Sequence, residues 1–192
     1  MDELAHIEVP AALSAILSAT TATGFDMASE PRTGALLRTL AASKPGGKFL
    51  ELGTGTGLAT AWLLDGLDAQ ATLVSVDVDA RMQEVARTHL HSDPRLTLVT
   101  EDGLRFLRRQ QPSSFDFLFA DAMPGKYEGL DEALRVLKPS GFYVVDDMLP
   151  QANWPEGHAD KVPVLLNALS KNTSLSIVPL AWASGLVLAV KR

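Results

Sequence analysis

The chain has 192 residues, 46% of them hydrophobic, and a formal net charge of −6 at pH 7. This size and composition predict one globular domain spanning residues 1–192, and the absence of cysteine excludes disulfides and thiolate metal sites. The acidic balance, without a long basic run, argues against nucleic acid as a partner. No apolar run approaches the roughly 20 residues of a membrane span, and the acidic start Met1–His6 is unlike a signal peptide. We therefore expect no membrane association and a cytoplasmic location.

Two helices are predicted ahead of the first strand. The first covers residues 9–21, where apolar side chains recur at helical spacing. The second opens at Pro31, a residue suited to the first helical turn, and ends at Lys44–Gly47. We expect residues 1–45 to cover a ligand site at the sheet. The apolar face of the first helix is a candidate surface for a homodimer.

Strands and helices alternate along the rest of the chain. Apolar strands are predicted at 48–52, 72–77, 96–99, 115–120 and 142–145. Helices are predicted between them, at 58–66, 80–91, 104–110 and 127–137. A further helix around 162–169 precedes two strands, at 175–179 and 186–190, whose short connection implies an antiparallel pair. The pattern predicts an α/β fold: a Rossmann-like, doubly wound sheet of seven strands, mostly parallel with an antiparallel C-terminal strand and with helices on both faces.

A glycine-rich turn follows the first strand, in the sequence Glu51-Leu-Gly-Thr-Gly-Thr-Gly57. A strand, a glycine turn and a helix in succession are typical of nucleotide sites, because glycine lets a ligand approach the backbone closely. The spacing G-x-G-x-G differs from the G-x-G-x-x-G of dinucleotide sites, and an acidic residue suits a ligand with a cationic end. The alternatives are a nicotinamide cofactor and a turn without a ligand. The candidate cofactor contacts are Glu51, Gly53, Thr54, Gly55 and Gly57.

Acidic residues follow the second and third strands, at the edge where ligands bind in such sheets. Asp77, with Val78 beside it, can accept hydrogen bonds from both hydroxyls of a ribose, or be an ordinary loop residue. Asp79 is placed to cap the next helix. Asp102, with Gly103, could accept a hydrogen bond from an adenine amino group or cap the helix that follows.

The fourth and fifth strands end in three further carboxylates, Asp121 and the pair Asp146-Asp147. Neighbouring carboxylates repel one another unless a cation lies between them, and hard oxygen ligands favour Mg²⁺, Ca²⁺ or Mn²⁺. Such a cation could lower the pKa of a substrate hydroxyl. The alternative is that some of these acids cap helices or face water.

These motifs resemble those of the cation-dependent, catechol- and caffeoyl-CoA-type O-methyltransferases, which belong to the class I methyltransferases that use S-adenosylmethionine (SAM). The segment Glu30–Gly34 looks like the one ahead of the family's SAM helix, Glu51–Gly57 like its SAM loop, and Asp77 like its ribose acid. Asp121 looks like the first metal ligand, and Asp146-Asp147 like the pair that supplies the others. The resemblance implies SAM-dependent methylation of a small-molecule hydroxyl, with a divalent cation such as Mg²⁺ as a second cofactor.

The sequence departs from the family pattern at two places. The family has Asp-Ala-Asp-Lys after the fourth strand, with a lysine that acts in proton removal, whereas this chain has Asp121-Ala-Met-Pro124. Lys126 could take over that role, or be a solvated lysine at the start of a helix. The family's final pair is Asp-Asn, whereas Asp146-Asp147 adds a carboxylate. Asp121 and Lys126 are catalytic candidates, and Asp121 is also a candidate cofactor contact.

His158 and Trp154, in the loop after the fifth strand, are further candidates. His158 could be a general base, since the ordinary pKa of histidine lies near neutrality, or simply begin a helix. Trp154 could stack on a flat acceptor or pack in a lid. Three alternatives to cation-assisted O-methylation remain open: metal-independent transfer using His158, a non-catalytic SAM-binding module, and a nicotinamide-dependent oxidoreductase.

Overall fold

The computed structural model describes residues 7–192, so the acidic start Met1–His6 lies outside the described residues. Helices occupy α1 Leu13–Thr23, α2 Pro31–Ala42, α3 Leu58–Gly66, α4 Ala80–Leu90, α5 Gly103–Arg109, α6 Leu130–Val136 and α7 His158–Lys171. Strands occupy β1 Lys48–Leu52, β2 Thr72–Asp77, β3 Leu96–Thr100, β4 Phe115–Ala120, β5 Leu137–Val145, β6 Leu175–Leu180 and β7 Leu186–Lys191.

The seven strands form one sheet in the order β3-β2-β1-β4-β5-β7-β6. Strands β1 to β5 pair in parallel, whereas β7 runs antiparallel to both β5 and β6. The predicted Rossmann-like sheet is thereby confirmed, including the antiparallel pair at the C-terminus. The strand order reverses between β1 and β4, and ligands of open α/β sheets bind at such a reversal, outside the carboxyl ends of the strands.

The hydrophobic core lies on both faces of the sheet. Phe49 and Phe117 pack on the face covered by α1 to α4, whereas their neighbours Leu50 and Leu118 pack on the face covered by α5 to α7. Successive side chains of a strand point to opposite faces, so a strand buried on both faces is apolar throughout. This explains the continuous apolar runs that predicted the strands.

Two element boundaries differ from the prediction in a way that matters for the site. Helix α6 begins at Leu130 rather than at Tyr127, because residues 123–128 form a tight turn in which the N–H of Glu128 donates to the carbonyl of Met123 at 3.0 Å. Strand β5 begins at Leu137 rather than at residue 142. Its proline–serine–glycine segment is accommodated by a register shift against β4 and by a positive φ of 62° at Ser140.

The surface bears on two further predictions. No helix within residues 7–192 is long and apolar enough to cross a membrane, and the cytoplasmic location stays a prediction. Val9 and Leu17, in the segment predicted as the first helix, are exposed to solvent. The homodimer through this helix also stays a prediction.

Candidate functional site

A cavity of about 750 Å³ opens at the carboxyl ends of the strands. This volume is within the range of roughly 300–1,000 Å³ that is typical of small-molecule sites. Residues 23–30, between α1 and α2, line one wall. The side-chain amide of Asn153 donates a 2.6 Å hydrogen bond to the carbonyl of Asp26, which joins this wall to the loop before α7. The sequence-predicted residues in the lining are Gly53, Asp77, Val78, Asp121, Lys126, Asp146, Asp147, Trp154 and His158.

The glycine turn after β1 is held between β4 and α4. The φ of Gly53 is +100°, and a β-carbon there would lie 2.4 Å from the carbonyl oxygen of Asp121. The φ of Gly57 is +93°, and a β-carbon there would lie 2.6 Å from the β-carbon of Ala86. Both positions therefore require glycine for conformation and for packing. Gly53 borders the cavity, whereas Thr54, Gly55 and Gly57 are not among the residues that line it, so direct cofactor contacts of these three stay predictions.

Glu51 lies beneath the glycine turn and is completely buried. Its Oε2 atom accepts hydrogen bonds from the hydroxyls of Thr60 and Ser75, and its Oε1 atom has no partner among residues 7–192. Burial raises the pKa of Glu51 to about 7, against the hydrogen bonds from Ser75 and Thr60. Glu51 does not line the cavity, so its placement gives no support to the predicted contact with the cationic end of a ligand.

A chain of buried hydrogen bonds connects Glu51 to the next two strands. The Thr54 and Ser75 hydroxyls share a 2.6 Å hydrogen bond, and the Gln83 amide donates to Thr54 at 3.1 Å. The Thr100 hydroxyl donates to Gln83 at 2.6 Å. Sequence reasoning missed Ser75 and Gln83. The sequence did contain a sign of them, because each is a polar residue at a position where the pattern of the strand or helix predicts burial.

Asp77 lies at the end of β2 and borders the cavity. Its Oδ2 atom accepts a 2.7 Å hydrogen bond from the N–H of Gly55, and its Oδ1 atom accepts one of 2.8 Å from the N–H of Asp79. These bonds fix the carboxylate beside the glycine turn, where an acid would meet a ribose. Asp79 caps α4 as predicted, by accepting from the N–H groups of Arg81 and Met82.

Asp102 acts as the N-cap of α5 by accepting a 2.8 Å hydrogen bond from the N–H of Arg105. The sequence left open whether Asp102 caps this helix or contacts adenine, and the structure shows the cap. Gly103 packs against Pro124, where an added β-carbon would lie 2.8 Å from the proline ring. Neither Asp102 nor Gly103 lines the cavity, and a contact with adenine stays a prediction.

Asp121, Asp146 and Asp147, which we call the acid cluster, line the same cavity at the ends of β4 and β5. Burial raises the pKa of Asp121 well above the usual range, and the charges of Asp146 and Asp147 raise it further. Burial also raises the pKa of Asp146 to about 6, against a hydrogen bond from Ser184. Asp147 has a positive φ of 61°. The predicted gathering of these three acids is therefore observed.

Lys126 is enclosed within the acid cluster and is only 2% exposed. Its Nζ atom donates a 2.9 Å hydrogen bond to the carbonyl of Asp146 and lies 3.9 Å from the Oδ2 atom of Asp147. The interpretation of Lys126 as a solvated lysine is wrong. The tight turn at residues 123–128, which takes the place of the predicted helix start, directs this side chain inward.

The acid cluster does not fit a divalent cation. Among residues 7–192, no three histidine or carboxylate side chains are grouped so that they could hold a metal ion. Asp121 accepts a 2.8 Å hydrogen bond from the Ser29 hydroxyl. Asp146 accepts from the Ser184 hydroxyl and from the N–H of Asp147. Protein donors thus contact one carboxylate oxygen of Asp121 and one of Asp146. Sequence reasoning missed Ser29 and Ser184, which carry no local motif.

His158 begins α7 and forms an aromatic group with Trp154 and Tyr127 at the cavity wall. Its ring stacks on Trp154 with centroids 4.3 Å apart, and its Nε2 atom lies 3.0 Å from the Tyr127 hydroxyl. Burial lowers the pKa of His158, and the charge of Lys126 lowers it further. The Nε1 atom of Trp154 has no hydrogen-bond partner among residues 7–192. His158 is therefore both a lining residue and part of the packing of α7.

Comparison with known proteins places this chain among methyltransferases. The sequence model of a family described as "Methyltransferase domain" matches residues 49–141. A candidate O-methyltransferase of Mycobacterium sp. (strain KMS) is 32% identical over 150 residues, which are 74% of this chain and 68% of that relative. A candidate O-methyltransferase of Mycolicibacterium vanbaalenii is 30% identical over 148 residues, or 73% and 66% of the two chains.

Two solved structures share the fold. An O-methyltransferase of Bacillus cereus, solved in complex with SAH, superposes with a TM-score of 0.83 at 20% identity, over 98% of this chain and 94% of the other. The O-methyltransferase TomG of Streptomyces achromogenes, solved in complex with SAM, also gives 0.83, at 22% identity over 97% and 92%. At these identities the likeness establishes the architecture.

Proposed function

This chain belongs to the O-methyltransferase family, and we propose that its cavity binds SAM beside the hydroxyl group of a small-molecule acceptor. Family membership makes SAM-dependent O-methylation the activity, in preference to the nicotinamide-dependent oxidoreductase and the non-catalytic SAM-binding module that the sequence left open.

The observation that carries the proposal is that one cavity joins two different walls. Gly53 and Asp77 border it at the glycine turn, and the acid cluster with Lys126 borders it at the ends of β4 and β5. The first wall suits the nucleoside of SAM, whose ribose hydroxyls would donate to Asp77. The second wall suits the reacting end of the donor and the acceptor. The transferred methyl group would lie between them.

The charge of the acid cluster also suits this donor. SAM carries a positive sulfonium, whereas its product S-adenosylhomocysteine (SAH) is neutral at sulfur. Carboxylates at Asp121 and Asp147 attract the sulfonium more strongly than the thioether, and the effect is enlarged in a partly buried site. The cluster therefore favours binding of the substrate and release of the product.

Methyl transfer is a displacement in which the acceptor oxygen attacks the sulfonium methyl group. An oxygen–carbon bond forms, the carbon–sulfur bond breaks with its electron pair remaining on sulfur, and the acceptor proton leaves. The enzyme contributes chiefly by aligning the reactants. We assign proton acceptance to Asp121, because burial and neighbouring charge make its carboxylate a better proton acceptor than an exposed aspartate. His158 is the second candidate, because it also lines the cavity.

Two measurements test this proposal. Calorimetric titration should show SAM binding to the wild-type protein and no comparable binding of NADH. Formation of SAH from SAM should be measured against a panel of small hydroxyl compounds. With an acceptor found in this way, Asp121→Asn should lower turnover by about 100-fold, the usual size of a general-base contribution. SAM affinity should fall by a smaller factor, because one of the carboxylates that attract the sulfonium is lost. An equal loss in His158→Ala but none in Asp121→Asn would transfer the role to His158.

A further inference from the structure

The turn that follows β4 directs Lys126 into the site. The hydroxyl of Tyr143, from β5, donates a hydrogen bond of 2.5 Å to the carbonyl of Gly125. Gly125 has a φ of +80°, and its N–H donates to the carbonyl of Glu128 at 2.7 Å. A glycine at this φ and a buried tyrosine anchor therefore fix the backbone on the N-terminal side of Lys126. The fold of this turn therefore sets the position of the Lys126 backbone.

The ammonium group of Lys126 meets the acid cluster from inside the protein. It touches the backbone of Asp146 at 2.9 Å and approaches the carboxylate of Asp147 to 3.9 Å. Three neighbouring carboxylates need a positive charge to remain close together, and a buried charge needs an opposite partner. The buried ammonium group of Lys126 supplies the positive charge that the carboxylates need, and the carboxylates supply its opposite partner.

Two of the carboxylates in the acid cluster already accept hydrogen bonds from serine hydroxyls of the protein. The hydroxyls of Ser29 and Ser184 donate to Asp121 and Asp146, respectively. A divalent cation prefers six or more oxygen ligands and would compete with these donors and with the ammonium group. The hydrogen bonds of these carboxylates are therefore more compatible with a neighbouring lysine than with a bound metal ion.

We propose that the ammonium group of Lys126 replaces the divalent cation at this site and holds the acceptor oxygen as it loses its proton. This inference rests on the proposed function, since it assigns the acceptor to the same cavity. The proton of the acceptor hydroxyl passes to a carboxylate of the cluster, and Lys126 keeps its own protons. The resulting oxyanion, stabilised by the ammonium charge, then attacks the sulfonium methyl group.

The experiment measures Mn²⁺ binding by electron paramagnetic resonance, in the presence of SAM, for the wild type and for variants at Lys126, Lys161 and Asp147. Lys126→Ala removes the cation, Lys126→Arg keeps the charge, and Lys161→Ala removes a neighbouring exposed lysine that faces the same Tyr127 ring. We expect the wild type, Lys126→Arg and Lys161→Ala to leave Mn²⁺ free. Lys126→Ala should bind it about tenfold more tightly than the wild type, since carboxylates without a counter-charge attract cations.

Each result decides for or against the inference. Stoichiometric Mn²⁺ binding by the wild type that Asp147→Ala abolishes would overturn it, as would a folded Lys126→Ala protein with no gain in Mn²⁺ affinity. Binding that survives Asp147→Ala lies outside the acid cluster, as the inference requires. If Lys126→Ala does not fold, the wild-type measurement alone decides. Failure of the wild type to bind SAM in calorimetry would refute the proposed function instead, so the two failures are distinguishable.

Discussion

Gly53 and Asp121 are in backbone contact across the sheet: a β-carbon on Gly53 would lie 2.4 Å from the carbonyl oxygen of Asp121. The N–H of Asp121 donates a 2.9 Å hydrogen bond to the carbonyl of Leu52, so the ends of β1 and β4 are joined at this point. The glycine turn and the acid cluster therefore share one backbone junction. A change at Gly53 must affect both walls of the cavity.

Replacing Gly53 by alanine should damage the fold and the cofactor site together. Its φ of +100° and the contact with Asp121 both oppose a side chain, so we expect a loss of about 2–4 kcal/mol in the free energy of unfolding. SAM affinity should fall as well. Urea unfolding and calorimetry provide the measurements. Gly46→Ala is the control, because its φ is +66° but its added β-carbon makes only an ordinary contact at 3.8 Å. It should cost about 1 kcal/mol and leave SAM affinity unchanged.

Replacing Asp77 by alanine should weaken SAM binding by about 10- to 100-fold, since two hydrogen bonds from ribose hydroxyls to a carboxylate would be lost. Asp102→Ala is the matched control, an acid after the neighbouring strand that caps α5 and lies outside the cavity lining. It should cost about 1 kcal/mol of stability through the lost cap and leave SAM affinity within about twofold. A large loss of affinity in Asp102→Ala would instead support the contact with adenine. Unchanged affinity in Asp77→Ala would contradict the ribose assignment.

The sheet was predictable because its strands are buried on both faces. Phe49 and Leu50 are both apolar although their side chains point to opposite faces of the sheet. The sequence of such a strand is a continuous apolar stretch, without the spacing of an amphipathic helix. The reversal of strand order and the closing antiparallel pair then followed from the alternation of elements and from one short connection. The acids at the strand ends were predictable for the same reason, since each immediately follows such a run.

Residues whose position depends on a turn were not predictable. Lys126 immediately precedes Tyr127, the first residue of the predicted helix, so its sequence context is that of a solvated helix start. It faces inward because Gly125 turns the chain and Tyr143 anchors it. Ser29 and Ser184 reach the acid cluster from loops that are distant in sequence. Their distance in sequence from the acid cluster carries no regular spacing, because these loops meet the cluster only in the folded sheet.

Removing the Tyr143 hydroxyl should loosen the turn that positions Lys126. Tyr143→Phe leaves the buried carbonyl of Gly125 without its partner, which should cost about 1–3 kcal/mol of stability. Amide hydrogen exchange should become faster in residues 123–128 while β4 stays protected. Tyr127→Phe is the control, because its hydroxyl contacts His158 and leaves the turn intact. Equal exchange in the two variants would show that the Tyr143 bond does not hold the turn.

Glu51 should make the stability of the protein fall as pH rises. Burial raises its pKa from the ordinary value of 4.5 to about 7, so between these two values the folded state retains a proton that the unfolded state has released. The stabilisation is complete below pH 4.5 and is lost as pH rises through about 7. A shift of this size corresponds to roughly 3 kcal/mol of unfolding free energy.

The Glu51→Gln variant isolates this contribution, because glutamine is a neutral group of the same shape. Urea unfolding at several values between pH 5 and pH 8 should show that the free energy of unfolding of the wild type falls as pH rises. In Glu51→Gln this fall should be smaller by roughly 2–3 kcal/mol. Asp121 and Asp146 also have raised pKa values, but they are present in both proteins. Their contribution to the pH dependence of stability therefore cancels when the wild type is compared with Glu51→Gln. Glu84→Gln, on the exposed surface of α4, is the control and should follow the wild type. Parallel curves for the wild type and Glu51→Gln would mean that the buried carboxyl group finds a partner for its Oε1 atom and ionises without penalty.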